Sequence, residues 1–134
     1  HVRVLGHRDD APDLMVAADL FVFSSLWEGF GGVIAEAMAL RLPIVSTDVP
    51  EVCEVLGTDS PGPAVIVPIG DSSAMSDAIV RVMSDPAERN IMGEVGHSRF
   101  ESNFNLDAVA IRTLALYRDL ASNWQAGTTD LGDE

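Results

Sequence analysis

The sequence predicts an α/β fold, a parallel sheet with flanking helices. Three observations predict it. Four short apolar runs, at residues 2–5, 21–23, 43–46 and 64–67, are each followed by a loop and a helical stretch, the alternation that builds parallel sheets. Between the second run and its helix lies Glu28-Gly29-Phe30-Gly31-Gly32, a turn whose glycines let backbone come very close to a ligand. From Asp71 onward the chain reads as successive helices.

Val2-Arg3-Val4-Leu5 reads as the first strand and ends at Gly6. His7, Arg8, Asp9 and Asp10 form a polar loop at its carboxyl end. Asp10 or Asp13 can cap a short helix, with Pro12 at an early position. That helix runs to about Ala18, and Asp19 breaks it before the strand Phe21-Val22-Phe23. Ser24 and Ser25 open the next loop, and a helix follows the glycine turn from about Gly31 to Leu40. Pro43 to Ser46 is a buried strand, and Thr47-Asp48-Val49-Pro50-Glu51 is a second loop at a carboxyl end. A short helix to Leu56 and a Gly- and Pro-rich loop precede the strand Ala64-Val65-Ile66-Val67, which Pro68 closes. Asp71 or Ser72 caps a helix to about Met83, with Met75, Ile79, Val82 and Met83 on its apolar side. Asp85-Pro86 starts another helix over residues 86–103. Asp107 is expected to cap the last one, to about Ser122, with Ala110, Leu114, Tyr117 and Ala121 as its stripe. Residues 1–122 are read as one partial domain and residues 123–134 as a mobile acidic tail.

Two carboxylates draw notice. From Val33 to Leu40 every residue is apolar except Glu36. A helix apolar all round is buried, so Glu36 is expected to be largely buried and therefore paired, neutral or ligand-bound. Arg41 is its nearest candidate partner. Glu28 sits at the mouth of the same helix, whose N-terminus offers free N–H groups to an anion or a polar ligand. This strand–glycine loop–helix–strand unit puts a ligand at the carboxyl edge of the sheet.

The run Glu28-Gly-Phe-Gly-Gly-Val-Ile-Ala-Glu36, continued by Ala37-Met38-Ala39 and Pro43-Ile44-Val45, resembles the E-x7-E region of the retaining GT4-type glycosyltransferases (glycosyl transferases group 1). Val4-Leu5-Gly6, Ala17-Ala18-Asp19 and Val22-Phe23-Ser24-Ser25 sit where that family has similar residues, so the resemblance covers roughly residues 2–121. It implies a Rossmann-like sheet belonging to the C-terminal, donor-binding domain of a GT-B fold. That domain usually has strand order 3-2-1-4-5-6, and this chain carries its third to sixth strands. The two missing strands would lie between residues 2–5 and Phe21-Val22-Phe23. Paired glycines common in the family near Val49 to Val52 are absent.

The resemblance implies a parent enzyme that moves a sugar from a nucleotide diphosphate sugar to an acceptor with retention. Glu36 would accept hydrogen bonds from the ribose hydroxyls. Glu28 would bind the donor-sugar hydroxyls and is the candidate catalytic residue. The amides of Phe30, Gly31 and Gly32 would lie near the diphosphate and sugar, with Val33 completing the donor-binding set. Ser25 either faces the site or caps the loop, and His7 either reaches the base or is a solvated loop histidine. No cofactor and no metal are expected. The implied partners are the nucleotide-sugar donor, an unspecified acceptor and the missing N-terminal lobe or remaining half domain, with a strand-exchanged oligomer as another way to cover the open edge. The competing readings are an inactive nucleotide-sugar-binding or interaction module, and an epimerase or phosphorylase of the same fold.

Composition narrows the classes further. Apolar residues make up 47% of the 134 residues, enough for a core. A net charge of −13 argues against nucleic acid or an anionic membrane as a direct partner. Cys53 is the sole cysteine, so no internal disulfide forms and a reducing compartment fits. The expected location is cytoplasmic, with the inner membrane face reached through the parent protein. The start at His1, directly before a strand, suggests a fragment. There is no G-x-S-x-G and no Gly-Lys-Ser/Thr loop, which removes two hydrolase readings.

Overall fold

Three short apolar runs lie side by side in the computed structural model, which describes residues 1–57 and 60–128. They are β1 (Phe21–Phe23), β2 (Ile44–Thr47) and β3 (Ala64–Val67), all parallel, in the order β1-β2-β3. Phe21 pairs with Ile44 and Phe23 with Ser46, while β2 pairs with β3 from Ile44 opposite Ala64 to Thr47 opposite Val67. The parallel α/β architecture expected from the alternation is present. Its strands end together, so their carboxyl ends share one edge.

One expected strand is missing. Residues 2–5 are not a strand, and Val2 and Val4 are each 94% exposed. A strand exists only through its pairing, and among the described residues no neighbour lies beyond β1 to supply it. The apolar composition of residues 2–5 was legible, but the partner it needs is not in the sheet.

The helices are α1 (Ala11–Val16), α2 (Gly32–Ala39), α3 (Pro50–Leu56), α4 (Ser72–Ser84), α5 (Pro86–Asn103) and α6 (Leu106–Thr128). Their starts follow side-chain chemistry. Asp71 accepts from the Ala74 amide at 2.9 Å and caps α4. The Asp85 carboxylate accepts from Ala87 and Glu88 at 2.9 and 3.0 Å and caps α5. Asp10 stands at the start of α1 but makes no cap bond, because Arg8 occupies its carboxylate.

The chain divides into two compact units, His1–Phe100 and Glu101–Glu134. In the first, Val45 and Val67 pack with Ala78 and Val82 of α4 and Met92 of α5. Ile34 and Met38 of α2, Ile44, and Val52 and Leu56 of α3 are also buried. Each such side chain contributes about 1.5–3 kcal/mol by leaving water. Helix α5 can lie close because two of its residues are glycines. A Cβ at Gly93 would stand 2.4 Å from the Arg41 carbonyl oxygen, and one at Gly96 would meet Pro63 and Met38 at 3.2 and 3.3 Å. His97 is half-buried with Nδ1 3.0 Å from the Ala39 carbonyl oxygen. Arg99 donates to the carbonyls of Val55 and Glu54 at 2.7 and 3.0 Å. These side chains satisfy carbonyls at the C-terminal ends of α2 and α3.

In the second unit Asn105, not Asp107, caps α6, accepting from the Ala108 amide at 2.7 Å. Its amide nitrogen donates to Glu101 at 3.0 Å, and Arg112 donates to the Asn103 carbonyl. The helix begins at Leu106, so Asp107 already lies inside its first turn. Helix α6 continues to Thr128, so residues 123–128 are helical where a tail was expected; residues 129–134 of that tail lie outside the described residues. Among the described residues no helix is long and apolar enough to cross a membrane.

Candidate functional site

The three strands deliver Ser24, Thr47 and Pro68 to one edge. Together with Leu26, Asp71 and Met75 they line a cavity of about 200 Å³. The glycine loop leaves β1 beside it.

Hydroxyl groups hold the first half of that loop. Thr47, 4% exposed, donates from Oγ1 to the Ser25 carbonyl at 2.6 Å. The Ser25 hydroxyl lies 2.9 Å from both the Trp27 carbonyl and Glu28 Oε1. Ser25 is thus a loop-capping hydroxyl that also touches a candidate site residue. Glu28 is half-buried at the mouth of α2.

The second half turns on Gly31. Its φ of 66° lies in the left-handed region, and a Cβ there would press on Val52 at 3.3 Å. The left-handed backbone favours glycine at this position. Gly29 and Gly32 differ, because a Cβ at either would meet nothing within 4 Å. The N-terminus of α2 has no side-chain cap; the Ile34 amide donates to the Gly31 carbonyl at 2.8 Å, and the Gly32 and Val33 amides before it have no preceding helical carbonyl. Phe30 is 55% exposed beside them and Val33 is half-buried.

Glu36 corrects an expectation. It is exposed, not buried. Ile34, Ala35, Ala37 and Met38 form the buried face of α2, while Gly32, Glu36 and Leu40, four residues apart, form an exposed stripe. Being apolar all round did not make the helix buried all round, because packing covers only one face. The inference from burial to a paired or ligand-bound carboxylate therefore falls. Glu36 does share its stripe with Gly32 at the helix mouth. The expected alternative of an Arg41 partner is not made either, since Arg41 pairs with Glu94 at 3.1 Å. Among the described residues the Glu36 carboxylate has no hydrogen bond or ion pair.

His7 is exposed, 3.5 Å from Asp9, and among the described residues no hydrogen bond joins it to the glycine loop. Near the start of α3, the Cys53 thiol donates to Asp48 at 3.3 Å. Burial, then the hydrogen bond and charge of Asp48, push that thiol above its ordinary pKa, which favours its protonated form. Among the described residues no three His, Cys, Asp or Glu side chains come together as a metal site. Thr47 was read as a loop residue in the sequence. Its signal was there: two hydroxyl residues, Ser46 and Thr47, close an otherwise apolar strand.

Comparison with known proteins gives a consistent result. Residues 1–85 match the family model described as glycosyl transferases group 1. The lipopolysaccharide core biosynthesis mannosyltransferase LpsB of Rhizobium meliloti is 34% identical over 119 residues, covering 89% of this chain and 34% of that protein. The Escherichia coli UDP-Gal:alpha-D-GlcNAc-diphosphoundecaprenol alpha-1,3-galactosyltransferase is 29% identical over 120 residues, covering 90% of this chain and 30% of that protein. Among solved structures, sucrose-phosphate synthase from Thermosynechococcus elongatus aligns with a TM-score of 0.72 at 32% identity, covering 82% of this chain and 27% of that one. Anabaena HepE in complex with UDP aligns with a TM-score of 0.74 at 26% identity, covering 88% and 31%. The chain spans about a third of the length of these curated relatives.

Proposed function

The chain belongs to the glycosyl transferases group 1 family, and from that premise we propose that it is the donor-binding part of a retaining glycosyltransferase. The whole protein moves a sugar from a nucleoside diphosphate sugar to an acceptor. One observation carries the reading: glycines at Gly29 and Gly32 that the fold itself does not require, with open space in front of them. Glycine has the most conformational freedom to lose on folding, and neither position has the positive φ that would require it. A ligand that must approach the backbone there accounts for both.

In this reading the diphosphate lies over the uncapped N-terminus of α2, where the first-turn amides and the positive end of the helix dipole favour an anion. Glu28, at the mouth, accepts hydrogen bonds from the sugar hydroxyls. Glu36, exposed and unpartnered one turn beyond Gly32, accepts them from the ribose. Phe30, Gly31, Gly32 and Val33 supply the amides between. Ser25 acts through its contact with Glu28. Catalysis is stabilisation of the departing diphosphate by preorganised donors, without a resident metal, in a cytoplasmic protein. HepE, solved with UDP, supports a nucleotide donor. The 134-residue chain alone carries the donor site without the acceptor lobe, and is expected to bind without turning over.

Calorimetry on the whole protein tests the assignment. Glu36→Ala should weaken a nucleoside diphosphate and its sugar conjugate alike, by about 1–3 kcal/mol for the lost hydroxyl bonds. Glu28→Ala should weaken only the conjugate. Unchanged nucleotide affinity in Glu36→Ala would remove Glu36 from the site.

A further inference from the structure

We propose that Thr47 is a positioning residue for the donor loop: its buried hydroxyl clamps the Ser25 carbonyl, and Ser25 in turn holds the Glu28 carboxylate. The proposal rests on the donor-binding reading of Glu28 given above.

The geometry shows why a hydroxyl stands at this position. The β1–β2 ladder runs from Phe21 opposite Ile44 to Phe23 opposite Ser46 and stops. Strand β2 continues one residue further, to Thr47, while the chain after β1 peels away as the glycine loop. At that fork the Thr47 side chain takes over from the backbone ladder. Its Oγ1 is 2.6 Å from the Ser25 carbonyl oxygen, with the Phe23 carbonyl a longer second contact at 3.4 Å. The next link is the Ser25 hydroxyl, 2.9 Å from Glu28 Oε1 and equally close to the Trp27 carbonyl. The chain of contacts runs from a buried strand to the carboxylate at the helix mouth in two steps.

A buried hydroxyl is unfavourable without a partner, and valine would fill the same volume in a strand. Thr47 is 4% exposed, so its polarity needs a reason other than solvation. Fixing the loop supplies one. Residues 26–30 are exposed or half-buried and have little packing of their own to define them. A site that recognises sugar hydroxyls needs its acceptor placed to within a fraction of an ångström, and side-chain hydrogen bonds from rigid elements do this.

Two substitutions separate positioning from plain packing. Thr47→Val keeps the volume and loses the hydroxyl. Thr47→Ser keeps the hydroxyl and loses a methyl. Hydrogen–deuterium exchange of the peptide over residues 24–31 and thermal unfolding are measured on the whole protein for each. Binding is measured by calorimetry with UDP, UDP-glucose, GDP and GDP-mannose as probes. We expect Thr47→Val to speed exchange of the loop and to weaken the bound nucleotide sugar about tenfold (~1.4 kcal/mol), leaving the free nucleotide unaffected. Thr47→Ser should restore both, even if its melting temperature is the lower of the two. Ser25→Ala should reproduce the binding loss with less effect on loop exchange. Loop exchange unchanged in Thr47→Val overturns the proposal, and so does Thr47→Ser behaving like Thr47→Val. If the loop loosens as expected but no probe sugar binds more tightly to the unsubstituted protein than its nucleotide, the clamp stands and the donor-sugar role of Glu28 fails.

Discussion

Gly31 and Gly32 are neighbours in sequence but answer to different demands. Gly31 has a φ of 66°, and a Cβ there would meet Val52 at 3.3 Å. Alanine in the left-handed region is unfavourable by about 1–2 kcal/mol, so Gly31→Ala should lower the denaturant midpoint of unfolding. Gly32 lies in the first turn of α2 with nothing within 4 Å of an added Cβ. Gly32→Ala should leave stability unchanged or raise it by about 0.4–1 kcal/mol, yet weaken nucleotide-sugar binding. Full affinity in Gly32→Ala would mean that no ligand approaches the backbone there. The glycine loop, Glu28 and Glu36 were legible because Glu-Gly-Phe-Gly-Gly stands between an apolar strand and an apolar helix. The exposure of Glu36 was not, since composition gives no direction around a helix whose polar residues number one. Thr47 was hidden for a related reason: a threonine at a strand end reads equally well as turn or strand, and only the register of β1 on β2 shows that it reaches Ser25.

Helix α5 shows what periodicity leaves out at the level of elements. Its span was readable from Asp85-Pro86 onward, but Gly93 and Gly96 read as weaknesses in a helix. In the structure they are the contact face: the backbone of α5 at Gly93 approaches the Arg41 carbonyl so closely that a Cβ would stand 2.4 Å from its oxygen. Backbone cannot give way as a flexible side chain can. Gly93→Ala should therefore destabilise the protein by about 1–3 kcal/mol despite alanine's better helix propensity. Differential scanning calorimetry checks the sign, and a raised melting temperature would show that α5 is free to shift. His97 and Arg99 add polar links from the same helix to the ends of α2 and α3. Through α2, the packing of α5 bears on the helix that carries the candidate site. Residues 2–5 fail in the opposite direction: their pattern is that of a strand, but pairing is a property of two segments, and the sequence of one cannot supply the other.

For the molecule as a whole, the open question is the outer edge of β1. Among the described residues β1 is paired on one side only, and Val22 on it is 41% exposed. Nearby in sequence, Leu26 and Trp27 are 68% and 81% exposed, and Val2 and Val4 are almost fully so. An unpaired edge with apolar side chains is a template for pairing with another chain. Against this stands a net charge of −13, which makes identical copies repel one another. The two effects respond differently to salt. Repulsion between surface charges is screened over about 10 Å at 0.1 M and about 3 Å at 1 M ionic strength, whereas apolar and backbone pairing at contact is not weakened. The isolated 134-residue chain should therefore be smallest at low salt and self-associate as sodium chloride is raised toward 1 M. Light scattering on a size-exclusion column across that range is the measurement. Val22→Lys, which places a charge on the edge strand, should suppress the association. A monodisperse monomer at every salt concentration, unfolding in one sharp transition, would show that the chain is content with three strands and that the open edge of β1 attracts nothing.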